Sequence, residues 1–285
     1  MAEVTIIFDR LRWEEKELYE KGKELGLDIG LEDIKDRPLE ITRLEMVDGI
    51  SEIVLQRAIS HYRGLYYSSI LESMGHTVIN SFVASLLCGN KLLTTLLLAK
   101  NGIPTPKTSV AFSMDSAIKE MERMGFPVVL KPIVGSWGRM IAKINDREQA
   151  ESILETRELL TDPQQQIYYL QEYVKRPPRD IRGIVINGRV VATIYRYQPD
   201  DDWRTNIARG GKAGVLNADS ELEDLMVKSA QVVGAKVVGV DAMETDDGYV
   251  IHEINNNLEF KGATEASQKD IAKEIMEYIK ELVRK

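Results

Sequence analysis

Three residues near the end of this sequence could do chemistry together: Asp241, Glu253 and Asn255. Glu253 and Asn255 are two apart in the strand-like run Tyr249–Asn255, so both point to one face. Asp241 interrupts an otherwise apolar run, Lys236–Ala242, and the turn Thr245-Asp-Asp-Gly248 folds one run back on the other. Two carboxylates and an amide on adjacent strands make a hard-oxygen cluster, which suits magnesium when the ion also keeps waters and phosphate oxygens. A solvent-facing polar edge would show the same spacing. Ile251 and Ile254, expected to face a core, favour the metal. A second signal is Lys131, alone in the apolar strand Phe126–Ile133. Burying a lysine costs several kcal/mol unless an anion meets it. The segment Gly135-Ser136-Trp137-Gly138-Arg139 follows directly and can bring backbone N–H groups and a guanidinium to phosphate oxygens. Strand pattern resumes at Met140–Ile144, so this is a hairpin-like flap rather than a Gly-x-x-x-x-Gly-Lys-Ser/Thr loop.

The elements that must hold these residues alternate between strand and helix. Val4–Phe8 reads as a buried strand, Trp13–Leu25 as a helix stopped by Gly26, Gly49–Leu55 as a strand, Leu65–Met74 as a helix and Thr77–Asn80 as a strand. That order predicts a small parallel α/β unit over residues 1–88. It lacks the Gly-x-Gly-x-x-Gly fingerprint of dinucleotide sites. Arg57, Ser60 and Arg63 cluster beyond its second strand, either as a ligand edge or as a solvated helix face. Helices follow at Lys91–Asn101, Met114–Met124 and Gln149–Leu160, and a strand at Ile167–Tyr173. Asn187-Gly188 marks a hairpin turn between Ile184–Ile186 and Arg189–Tyr195. Helices Asp219–Val233 and Asp270–Arg284 flank the acidic hairpin. Ahead of both helices, Asp202–Asn206 and Arg209–Gly211 form a polar, basic loop fit to hold carboxylates or phosphates.

Composition narrows the function. The chain has 285 residues, 44% hydrophobic, which predicts two or three packed units. No apolar run is long enough for a membrane span, and the N-terminus does not read as a signal peptide. The single cysteine, Cys88, excludes an internal disulfide framework, fits a reducing cytoplasm and reads as a buried small hydrophobe. A net charge of −8 disfavours nucleic-acid binding through overall charge. His61, His76 and His252 have no metal-ligand spacing, and each reads as structural.

In order along the chain, Lys91, Lys131-Pro132, the Gly135–Arg139 flap, Gln171-Glu-Tyr-Val174, Asp180-Ile-Arg182, Arg204 with Asn206, Asp241 and Glu253-Ile-Asn255 resemble the ATP-grasp superfamily over essentially the whole length. The runs LKPIVGSWGR, DWRTNIARGG and EFKG, with DRLRWEEK and VINS, are similar to the LysX/ArgX ligases, a branch close to the RimK-like ribosomal-protein glutamate ligases. The resemblance implies an α+β ATP-grasp fold within the α/β class: a pre-ATP-grasp domain at 1–88, a central ATP-binding lobe at 89–170 and a C-terminal lobe at 171–285. It implies that Lys91 and Lys131 contact the phosphates of ATP and that Gly135, Ser136, Trp137, Gly138 and Arg139 close over them. Glu172 and Val174 would meet the adenine by their backbone, and Asp180 would hold the ribose. Asp241, Glu253 and Asn255 would bind two magnesium ions, with Glu253 bridging. Arg204 would steady an acyl phosphate, supported by Asn206 and Lys131, and Arg182, Asn256, Asn257 and Phe260 would join the substrate site.

The implied reaction phosphorylates the side-chain carboxylate of the C-terminal glutamate of the carrier protein LysW. The α-amino group of an amino acid then attacks to give an amide. The amino acid is expected to be 2-aminoadipate, with glutamate close behind, since one methylene is worth only ~1–3 kcal/mol. The segment Asn255–Gly262 is where such enzymes differ. Because LysW is acidic, docking would need a local basic surface, expected at Lys175, Arg176, Arg179, Arg182, Arg204 and Arg209. A cytoplasmic homodimer or homotetramer is expected. The rivals are a ligase adding glutamate to a ribosomal protein or a cofactor tail, and a nucleotide-binding protein without turnover.

Overall fold

The computed structural model describes residues 2–135, 138–205 and 212–284. Its first unit is a four-stranded parallel sheet of β1 (Val4–Phe8), β2 (Ile29–Asp33), β3 (Ile53–Gln56) and β4 (Thr77–Ile79), in the order β2-β1-β3-β4. α1 (Trp13–Glu24) joins β1 to β2, and α2 (His61–Ser73) joins β3 to β4. The central β1 and β3 are buried on both faces, which is why they read as near-continuous apolar runs. The edge strand β2 pairs along the length of β1 but leaves Leu31 exposed, so its mixed IGLED sequence carries little strand signal.

α3 (Phe82–Gly89) and α4 (Lys91–Lys100) lead out of this unit, capped by Ser81 and Asn90, whose side chains accept from the N–H groups of Ala84 and Leu93. A four-stranded antiparallel sheet follows: β5 (Thr108–Ala111), β6 (Val128–Lys131), β7 (Ala142–Ile144) and β8 (Tyr168–Glu172), in the order β5-β8-β6-β7. α5 (Met114–Met124) and α6 (Arg147–Glu158) cover one face, with Leu130, Ile144, Leu154 and Tyr168 in the core. Asp146 caps α6 by accepting from Gln149 N (2.8 Å), so this helix begins earlier than its apolar pattern suggests.

The third sheet is antiparallel and five-stranded: β9 (Arg179–Ile186), β10 (Arg189–Tyr197), β11 (Lys212–Val215), β12 (Val237–Thr245) and β13 (Gly248–Asn255), ordered β11-β10-β9-β12-β13. α7 (Ser220–Val232) packs on one face, and α8 (Lys261–Ser267) and α9 (Ile271–Val283) on the other. One core crosses the joint between first and third units: Val4, Ile6 and Leu18 share it with Ile184, Val237, Ile275 and Met276. The helix–strand alternation, the antiparallel hairpins and both terminal helices match expectation. β2, α3, β5, β11 and α8 were not expected, each being short or polar on one side. No single described helix is long and apolar enough to cross a membrane.

Candidate active site

The β12–β13 hairpin places Asp241 opposite Glu253 and Gly239 opposite Asn255. The register then slips, with Ala242 opposite Ile251, so His252 is the extra residue of a β-bulge. The bulge explains a pattern that strict alternation does not: Ile251 and Ile254, three apart, are both fully buried, while Glu253 and Asn255 keep a common face.

Asp241 is 2% exposed and carries two guanidinium groups. Arg182 donates to it through Nε (2.7 Å) and Nη2 (2.8 Å), and Arg196 Nη2 lies 3.0 Å away. Burial pushes the carboxyl up, but Arg182 and Arg196 outweigh it and hold Asp241 well below the usual carboxylate range. Asn255 Nδ2 approaches the same carboxylate at 3.4 Å. Glu253 meets the Lys91 ammonium at 3.4 Å, and that ammonium also donates to Gly135 O (2.7 Å), tying α4 to the flap. Lys131 closes the opposite wall at the end of β6, 7% exposed, donating to Gln171 Oε1 at 2.6 Å. Burial pushes its ammonium down to about 8, with Lys91 adding to the effect and Glu253 opposing it.

These groups line one cleft of about 610 Å³ between the two antiparallel sheets and the first unit. Asp241, Glu253 and Asn255 fit magnesium. They are hard oxygen donors, too few to enclose an ion, and the two carboxylates attract three protein cations.

Several sequence expectations meet a different geometry. Asp180, expected to hold the ribose, lines the cleft with its carboxylate engaged by Arg196 Nε and Nη2 (2.7 and 2.8 Å) and by the Thr205 hydroxyl. The Glu172 N–H donates to Lys107 O (2.9 Å) and its carboxylate accepts from Lys107 N (2.7 Å). Neither Glu172 nor Val174 lines the cleft. Phe260 is fully buried and packs edge-on against Trp13 at 5.6 Å, which makes it a core residue rather than a substrate contact. Asn256 and Asn257 do line the cleft. Arg204 also lines it, paired with Asp202 (2.8 Å) and donating to Gly138 O (3.0 Å), so the basic loop and the flap touch. Arg139 lines the cleft from the flap. Ser136, Trp137, Asn206 and Arg209 lie outside the described residues.

The expected basic docking surface is not open. Arg179 pairs with Glu244 (2.8 Å), Arg182 with Asp241, and Arg204 with Asp202. Arg176 is half-buried on backbone carbonyls, and only Lys175 of the described set is exposed. Cys88 is buried as expected, its thiol pushed up to about 12 by burial.

Sequence reasoning gave no role to Arg196, Gln171 or Thr205 and read His252 as structural. Arg196 was within reach: it is a cation in the apolar strand RVVATIYRY, the same signal that singled out Lys131. His252 reads as structural by spacing, yet it lines the cleft, its imidazole 4.0 Å from Asp180 and pushed far down by burial.

Two antiparallel sheets clasping a cleft that holds Lys91 and Lys131 together with Asp241 and Glu253 are the arrangement of the ATP-grasp fold. The same fold is seen, at 22% identity and a TM-score of 0.82 over 97% of this chain and 99% of the other, in the RimK domain ATP-grasp protein of Sphaerobacter thermophilus. It is also seen in the D-alanine–D-alanine ligase of Bacillus anthracis, with a TM-score of 0.68. Residues 88–279 match the RimK-like ATP-grasp domain, and the chain belongs to that family. Residues 4–85 match the LysX preATP-grasp domain. The chain is 40% identical to the alpha-aminoadipate–LysW ligase LysX of Saccharolobus solfataricus over 96% of this chain and 99% of that one. It is 36% identical to the glutamate–LysW ligase ArgX of Sulfolobus acidocaldarius over 97% and 98%. The expected fold and the expected class, an ATP-dependent ligase, both hold.

Proposed function

We propose that this protein uses ATP to activate the side-chain carboxylate of the C-terminal glutamate of a LysW-type carrier and joins it to the α-amino group of 2-aminoadipate, as in lysine biosynthesis. The observation that carries this is the single cleft in which Asp241, Glu253 and Asn255 face Lys91 and Lys131. The 40% identity to a LysX supports the choice of amino acid. The 36% identity to an ArgX makes glutamate, for arginine biosynthesis, the second reading.

The residues divide the work. Lys131 and Lys91 bind phosphate oxygens of ATP, which explains why two lysines are buried in one cleft. Asp241, Glu253 and Asn255 would hold magnesium, two ions in this reading, and when bound these offset the negative charge of the transferring phosphoryl group. For that, Arg182 and Arg196 yield part of their hold on Asp241. Arg204, already at the flap, orients the activated carboxylate, with Asn206 beside it in sequence. The attacking group is the substrate's own amine, so no protein nucleophile is required, and Cys88 is held as a thiol by burial.

The test is ADP release with ATP, magnesium and LysW, comparing 2-aminoadipate with glutamate. ADP release that requires both LysW and an amino acid, faster with 2-aminoadipate, is expected. Turnover with LysW replaced by a ribosomal-protein tail would instead place the enzyme with the glutamate-adding ligases.

A further inference from the structure

The cleft wall that follows the β12–β13 hairpin is held from outside its own sheet. β13 ends at Asn255, α8 begins at Lys261, and residues 256–260 between them are neither helix nor strand. Asn256, Asn257, Leu258 and Glu259 all line the cleft. Irregular backbone has no ladder to fix it, so its shape is set by whatever hydrogen bonds reach it.

The first unit reaches this wall residue by residue. Asn80, directly after β4, donates through Nδ2 to Asn256 O (3.0 Å). Ala58 O accepts from Asn257 Nδ2 (2.6 Å). Arg57 donates through Nη2 to Leu258 O (3.0 Å), and Arg12 through Nη1 to Glu259 Oε1 (3.2 Å). Asn80 is buried and uses both ends of its amide. Its Oδ1 accepts from Lys236 N (2.7 Å) and Val237 N (3.0 Å), and its Nδ2 also donates to Val237 O (2.7 Å). It therefore ties the start of β12 to the residue just past the end of β13. Arg57 is 2% exposed, so it is neither a solvated face nor an open ligand edge. Its Nε donates to Glu15 Oε1 (3.2 Å), which matches the charge on α1 while the other end of the guanidinium grips Leu258.

In-line phosphoryl transfer puts the leaving ADP and the attacking carboxylate on opposite sides of the transferred group. Lys131, anchored to Gln171 on β8, belongs to the nucleotide side. Residues 256–259 wall the cleft where it meets the first unit, which leaves them to the carboxylate and the amine. We propose that Arg57 and Asn80 are positioning residues for the amino-acid substrate, setting the shape of the wall at residues 256–258 against which it binds. This rests on the ligase reading above and deepens it: the parallel α/β unit acts on substrate choice through the backbone it holds. The competing explanation is a purely structural joint, which predicts lost stability with no change in substrate preference.

The experiment measures KM for 2-aminoadipate, glutamate and ATP, with LysW, on the wild type, Arg57→Lys and Asn80→Ser. Arg57→Lys keeps its charge beside Glu15, but one ammonium cannot also span to Leu258 O. Asn80→Ser is too short to reach Asn256 O. The control, Ser51→Ala, loosens the same unit away from the wall by removing a hydroxyl bonded to Thr5 (2.9 Å) and Ala2 O (2.8 Å). Both test variants should raise KM for the preferred amino acid about fivefold, the worth of one hydrogen bond, with KM for ATP within about twofold of the wild type. The preference between the two amino acids should narrow, and Ser51→Ala should leave it unchanged. An unchanged amino-acid KM in a folded variant overturns the assignment of that residue. An equal rise for ATP, or a rise as large in Ser51→Ala, overturns the proposal in favour of the structural joint. Should neither variant fold, hydrogen exchange on the wild type decides. With ADP and magnesium present, 2-aminoadipate should slow exchange across residues 256–259, and no slowing overturns the proposal. A wild type that shows this slowing but releases no ADP with LysW would remove the ligase reading and leave the positioning role in place.

Discussion

Lys131 and Asp241 are opposite solutions to the same problem, a charge removed from water. Asp241 is matched by two guanidinium groups and stays ionised. Replacing it by Asn strands Arg182 and Arg196 with less charge to face, and breaking such a buried set costs ~3–5 kcal/mol. Asp241→Asn should therefore melt markedly lower and lose magnesium-dependent turnover, whereas an unchanged melting temperature would show the ion pairs to be idle. Lys131 is under-matched, and its ammonium titrates near 8 instead of the ordinary 10.5. The folded state thus disfavours the charged form. The cost to stability is fully present below about pH 8 and fades as pH rises from there towards 10.5. Phosphates bound beside Lys131 favour the charge and pull its titration back up. ATP binding at about pH 8.5 should then take up a fraction of a proton, seen as a binding enthalpy that varies with the buffer's ionisation enthalpy. Lys131→Met should remove the dependence, and a wild type without it would contradict a phosphate role for this lysine.

At the scale of elements, the β12–β13 hairpin is the informative one. Its existence, its turn and the common face of Glu253 and Asn255 were legible, because period-two alternation and Asp-Gly chemistry are local properties. The bulge was not legible. It is set by register against Asp241 and Ala242, a tertiary choice. Because the ladder already steps over His252, deleting it leaves Ile251 and Ile254 on their present face. A His252 deletion should fold, with a melting temperature within a few degrees of the wild type. Loss of folding would mean the bulge's twist is needed to seat the strand. Asp180 was expected at the ribose on the strength of the family resemblance, and its pairing with Arg196, opposite it on β10, was not foreseen. Cross-strand pairing of that kind is visible only once strand order is known.

For the whole molecule, the order of units was legible because parallel and antiparallel sheets leave different patterns of helices between strands. Their joint was not. Gly22 of α1 lies where a Cβ would come within 2.1 Å of Ile29 Cδ1 and 2.8 Å of Met276 Cε, so α1 packs tightly on β2 and α9. Gly22→Leu should overpack the joint and lower stability by ~1–3 kcal/mol. Thermal unfolding checks this, and an unchanged melting temperature would show that the joint tolerates the larger side chain. Domain contacts of this kind depend on side chains far apart in sequence, which explains why the basic surface expected for LysW turned out to be internally paired.

The most direct measurement is the intact mass of LysW after incubation with the enzyme, ATP, magnesium and an equimolar mixture of 2-aminoadipate and glutamate. The predicted result is a carrier heavier by one 2-aminoadipate residue, joined to the side chain of its C-terminal glutamate and dependent on Asp241 and Lys131. A carrier of unchanged mass, under conditions in which the ligase from Saccharolobus solfataricus modifies it, would contradict the account.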